Sequence, residues 1–216
     1  MPESQDRVKR DPPPPIGHAS ADGMVLVQVG PDKITHHVHK TLLVYHSEYF
    51  AKALNGPWAE AVHRVVTIED VETDAFNIFV HWLYTRQVPQ SYEALRHLVN
   101  GSTSSDPIDR ILVLLKAHHL GDRIIATAFR CEIKDRLVQS LLQALLSPAT
   151  ILPAVAFAFA NIYDSNIHDI LVARFCDDFN AMKSQFEDDV ALVQFPPTFT
   201  ALVIKQYSER MPNDLV

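Results

Sequence analysis

The sequence predicts an α+β fold: a small sheet packed against a helical cluster, followed by a helical C-terminal extension. Three observations carry this. The β-branched run M-V-L-V-Q-V-G at 24–30 leads through G-P-D-K into a second strand-like run at 34–38, which reads as a hairpin, and V-V-T-I at 65–68 adds a further strand. Phe76, Phe79, Val80, Leu83 and Tyr84 recur at i, i+3, i+4, i+7 and i+8, with Ile78 and Trp82 as a second apolar edge. Beyond residue 109 only helical periodicities follow.

Residues 1–21 combine charges with four consecutive prolines, which supply no backbone donors, and read as a disordered arm with order starting near Asp22. After the hairpin, 40–44 reads as a short helix. Ser47 is placed to cap a second helix with Phe50, Ala53 and Leu54 on one face, and Asn55-Gly56-Pro57 stops it. Thr73 is the expected N-cap of the 73–85 helix. Apolar around most of its circumference, that helix should be central, each large buried side chain contributing roughly 1.5–3 kcal/mol. A segment at about 87–108, holding a short helix at 92–99 and the loop G-S-T-S-S-D-P, is longer than an ordinary connection. Helices are expected at 109–119 and 122–143, the first on Ile111, Leu112 and Leu115, the second on Ile125, Phe129, Leu137 and Leu141, with Gly121 between them. Three more follow at 148–163, 168–182 and 197–211, with proline near the first turn at Pro148 and Pro197.

The chain has 216 residues, 47% of them hydrophobic, enough for a sizeable buried core. Its formal net charge of −7, with only short clusters such as Arg7, Lys9 and Arg10, argues against nucleic-acid binding. Cys131 and Cys176 have neither C-x-x-C spacing nor a disulfide framework and read as buried thiols in a reducing compartment. The N-terminus lacks a signal-peptide core, and the apolar run at 151–160 is too short for a bilayer. The expectation is a soluble, intracellular protein of the cytoplasm or nucleus, without membrane attachment.

The 38–54 segment, V-H-K-T-L-L-V-Y-H-S-E-Y-F-A-K-A-L, precedes the 65–68 strand and a helix ending L-Y-T at 83–85. This order resembles the BTB/POZ domain, whose usual wording is a strand, H-K-x-x-L, S-x-x-F, a strand, and a helix ending in L-Y-T. A-H-H-L-G-D at 117–122 looks like the family's A-x-x-L-x-D, while N-I-Y-D at 161–164 and F-P-P-T-F at 195–199 look like its fungal branch. The resemblance implies a disordered arm at 1–21, a BTB/POZ domain at 22–140 with an inserted loop at about 87–108, and a helical extension at 141–216. The chain departs from the family at His36, where Phe is favoured two residues before Val38, and at Gly23-Met24, which stretch the approach to the first strand.

BTB/POZ domains are interaction modules, so the resemblance implies an adaptor or scaffold that binds protein partners, with homodimerisation common and cullin scaffolds of ubiquitin ligases recruited by some members. Cullin-binding members carry a hydrophobic residue, any residue and Glu after the S-x-x-F helix, where this chain has Trp58-Ala59-Glu60. Trp58 would be an aromatic anchor, Glu60 an acceptor for a partner's donors, and Tyr49 a rim residue. The competing reading has Trp58 covering the domain's own core and Glu60 as a solvated charge. For a dimer, the family's acid near the first strand and base in H-K map onto Asp22 and Lys40; the competing reading is an ordinary surface pair.

No catalysis and no cofactor are expected from the residues, and a His-ligated metal protein is the least favoured alternative. His37 and His39 would share a strand face, with His36 and His46 nearby, but no carboxylate or thiolate stands at ligand spacing. Ser47 lacks a nucleophile-elbow context, and neither G-x-G-x-x-G nor G-x-x-x-x-G-K-[ST] occurs.

Overall fold

The structure, a computed structural model, describes residues 14–99, 106–144, 147–182 and 194–210. Most of the expected arm at 1–21 and most of the loop G-S-T-S-S-D-P lie outside these residues. The part of the arm that is described carries a helical turn, α1 (Ile16–Ala19), continued by a 3-10 turn at Ser20–Asp22, and Ala19 is fully buried.

Strand β1 (Met24–Val29) pairs antiparallel with β2 (Ile34–His39) from Met24 opposite His39 to Val29 opposite Ile34. It pairs parallel with β3 (Val65–Ile68) from Leu26 opposite Val65 to Val29 opposite Ile68, giving a mixed three-stranded sheet in the order β2-β1-β3. As the middle strand, β1 turns Val25, Val27 and Val29 into the core, all completely buried, as a period of two requires.

The β2-to-β3 crossover holds α2 (Lys40–His46), α3 (Glu48–Asn55) and the short α4 (Ala59–His63). Ser47 caps α3 as expected, its hydroxyl accepting from the Phe50 backbone N–H at 3.1 Å. Helix α4 is a difference, since 55–60 reads as a turn. Proline at 57 stops α3, and the A-E-A-V-H stretch is long enough for one helical turn, which ends at Arg64 in the left-handed region.

Helix α5 (Thr73–Thr85) is the central element. Phe76, Ile78, Phe79 and Trp82 are fully buried, and Phe79 and Trp82 lie 5.1 and 5.3 Å from the Phe129 ring. The Trp82 indole N–H donates to Glu132 at 2.6 Å, the other Glu132 oxygen accepts from the Val88 N–H at 2.9 Å, and the Arg86 guanidinium lies 3.6 Å over the indole ring. The N-cap is Glu72 rather than Thr73: Thr73 is already helical, and no side chain caps this end.

Helix α6 (Tyr92–Arg96) is capped by Ser91, and Asp106 caps α7 (Pro107–Arg123) by accepting from the Ile108 N–H at 3.1 Å. Gly121 does not end this helix. It lies inside α7, and the break comes at Ile124–Ala126, before α8 (Thr127–Gln143). The glycine serves close packing: a Cβ there would stand 3.1 Å from the Arg130 Cβ and 3.2 Å from the Arg130 Cα and the Phe129 ring. Ile125, expected on the α8 face, instead occupies the break with φ of 52° and is 42% exposed.

The C-terminal helices are α9 (Pro148–Asn161), α10 (Ser165–Met182) and α11 (Pro197–Arg210). Helix α9 packs on α7 and α10 on α8, Phe195 stacks on Phe199 with Phe175 edge-on to both, and one hydrophobic core runs from the sheet to Val203. Replacing Gly121 by Leu forces a branched side chain into the α7–α8 contact. The expected result is a loss of about 2 kcal/mol or more in denaturant unfolding.

Candidate partner-binding groove

The N-terminus of α3 is sewn to the 124–126 break. The Ser47 hydroxyl donates to the Ile124 carbonyl at 2.5 Å, and the Glu48 and Tyr49 N–H groups donate to Ile125 and Ile124 at 3.3 and 3.4 Å. This fixes the Tyr49 ring beside Ile125. Across from them, α3 stops at Gly56, whose N–H donates to the Lys52 carbonyl at 3.0 Å, and the chain folds back so that the Trp58 indole lies on the glycine. A Cβ at Gly56 would come within 2.5 and 2.6 Å of indole Cδ1 and Nε1, so only glycine leaves the ring where it is.

The result is a shallow groove of about 260 Å³ lined by Tyr49, Lys52, Ala53, Trp58, Glu60 and Ile125. The structure therefore brings Tyr49, Trp58 and Glu60 together. Trp58 is 59% exposed and Tyr49 36%, which places the indole on the surface rather than over the core. Burial and the nearby Glu60 carboxylate push the Tyr49 hydroxyl above its ordinary pKa, while Arg123 opposes them, so it remains a donor at neutral pH. Lys52, Ala53 and Ile125 were not legible as groove residues. Ile125 in particular reads as a helix-face position until the chain break after α7 is known.

Asp22 and Lys40 lie together at the open end of the hairpin. The Lys40 N–H donates to the Gly23 carbonyl at 3.1 Å, and the Asp22 carboxylate accepts from the Thr41 hydroxyl at 2.9 Å. No ion pair joins Asp22 and Lys40 among the described residues. His39 Nδ1 lies 2.8 Å from the Tyr84 hydroxyl, and His36 packs at 4.9 Å on Phe76, taking the ring position for which the family favours Phe. Burial holds His36 below its ordinary pKa and therefore neutral. Among the described residues no three His, Cys, Asp or Glu side chains are grouped to hold a metal, and no helix is long and apolar enough to cross a membrane. Both cysteines are free thiols, but only Cys176 is buried as expected; Cys131, on the outer face of α8, is exposed.

A mixed three-stranded sheet thus lies beneath a helical cluster, with an aromatic groove at its rim. Compared with known families, residues 24–104, from β1 past α6, match the BTB/POZ domain, a family of protein-interaction modules, and the chain carries that domain in an α+β fold with a helical extension. A search of curated proteins finds no match to the chain.

Where the extension meets α7, His118 is buried, its side chain 4% exposed, and among the described residues neither ring nitrogen has a hydrogen-bond partner. Burial lowers its pKa from 6.5 to about 4, against the pull of the Asp164 carboxylate 4.0 Å away. Burial works against the Asp164 carboxylate too, but the Lys134 hydrogen bond and charge outweigh it and hold that carboxyl below its usual range. The unfolded chain thus takes up a proton at His118 that the folded chain refuses. Its contribution is complete above pH 6.5 and lost as pH falls toward 4, by roughly 3 kcal/mol. His118→Leu should flatten unfolding free energy against pH across this window; an unchanged slope would place the acid sensitivity elsewhere.

Proposed function

We propose that the protein is a non-catalytic adaptor or scaffold that holds a protein partner in the Tyr49–Trp58–Glu60 groove and self-associates through its BTB/POZ domain. The observation that carries this is the Trp58 indole, held in place on Gly56 yet 59% exposed beside Tyr49 and Ile125. A large fixed aromatic ring with little conformational entropy left to lose suits an interface anchor. The proposed organisation is an arm at 1–21, the interaction domain at 22–140 with its insertion at about 87–108, and the extension at 141–216. The N-I-Y-D and F-P-P-T-F segments support the fungal branch of the family, and the free thiols support an intracellular setting.

A more specific reading makes the partner a cullin scaffold and the protein a substrate adaptor of a ubiquitin ligase. The hydrophobic-x-Glu order of Trp58-Ala59-Glu60 supports it, since both side chains line the same groove. Trp58→Ala with Glu60→Ala should abolish pull-down of a cullin N-terminal domain while changing unfolding free energy by less than about 1 kcal/mol. A large stability loss would instead return Trp58 to the core.

Self-association places Asp22 and Lys40 at the dimer contact, where opposed charges would set the register. A homodimer burying more than about 1,200 Å² should persist in sedimentation at low micromolar concentration. A monomer at high micromolar concentration would remove self-association and leave the groove.

A further inference from the structure

The groove's apolar part is Tyr49, Ala53, Trp58 and Ile125, and four positions on from Trp58 the Val62 side chain is 78% exposed. Its charged lining residues are Lys52 and Glu60. Among the described residues neither side chain makes a hydrogen bond or an ion pair. The surrounding surface is different: Asp70 is matched by Arg123, Glu72 by Lys116 at 2.8 Å and Asp122 by Arg130. Two opposite charges thus stand open on one apolar groove, close to acids that are paired with neighbouring bases.

We propose that the occupant of this groove is an amphipathic helix of a partner protein, carrying an apolar residue for Trp58 and Tyr49, a basic residue facing Glu60 and an acidic residue facing Lys52. This rests on the reading of the groove as the partner site. The groove is built by α3, α4 and the 124–126 break, and no strand residue lines it, so it offers no sheet edge for an extended peptide to join. A volume of about 260 Å³ takes a few side chains, which suits the i, i+3 and i+4 spacing of one helix face. A partner charged with one sign only would set a like charge against one rim, so the two open charges also fix the direction in which the helix lies.

The test pans a displayed library of helix-forming peptides against the full chain, with counter-selection on Trp58→Ala. Sequences retained only by the parent should carry an apolar residue flanked by Lys or Arg on one side and Asp or Glu on the other. On the chain carrying Lys52→Glu with Glu60→Lys, the flanking signs should exchange, and each single reversal should weaken a selected peptide about tenfold or more. If the reversed chain melts below the parent, Lys52→Gln and Glu60→Gln serve instead, and each should erase the preference on its own flank. An apolar anchor enriched without charge preference overturns the inference and leaves the groove reading standing. Absence of any Trp58-dependent peptide overturns both. A dimer that Trp58→Ala dissociates in sedimentation assigns the groove to a second copy of the chain and overturns the proposed helix.

Discussion

The Ser47 hydroxyl is buried and works in two directions, accepting from the Phe50 N–H to start α3 and donating to the Ile124 carbonyl 77 residues away. A buried hydroxyl satisfied on both sides costs little, while one left unpaired is expensive. This one therefore selects the single arrangement in which the start of α3 meets the break between α7 and α8. The groove is a consequence: Tyr49 is presented by one of these segments and Ile125 by the other. A residue that reads as a plain helix cap is also the joint between the two halves of the site.

The sheet and the central helix were legible because their signals are local. Alternation in 24–30 and the all-round apolar pattern of 76–85 state which residues should be buried: Val25, Val27, Val29, Phe76, Ile78, Phe79, Trp82 and Leu83 are, while Val80 and Tyr84 are partly so. The Trp58–Glu60 placement on the groove followed the family resemblance. Helix ends were less legible where tertiary contacts decide them. Gly121 has the composition of a stop, yet its lack of a side chain is used for the approach of Arg130 and Phe129, and the helix runs on to Arg123. Thr73 has the composition of a cap but begins α5 itself. Lys52 and Ile125 could not be assigned to the groove from sequence, since the contact joining α3 to the 124–126 break is long-range.

Two histidines, His36 and His118, serve as neutral rings. His36 packs at a tilt on Phe76 where a purely apolar ring would also fit, and His118 lies buried between α7 and the extension, its nitrogens without a hydrogen-bond partner among the described residues. Each keeps its charge-neutral form because burial disfavours the proton. Eleven histidines in the sequence thus mark packing positions in several places, which is why their number alone says little about metal chemistry.

Helix α7 packs against α5 on the domain side and α9 on the extension side, and its residues Ile111, Leu114, Leu115 and Leu120 are buried between them. It acts as a wall common to two rooms. A chain shortened after α8 would leave one side of that wall facing water, with an apolar strip available for self-adhesion. The extension thus doubles as an internal cover that keeps the domain's last helices from acting as an adhesive surface.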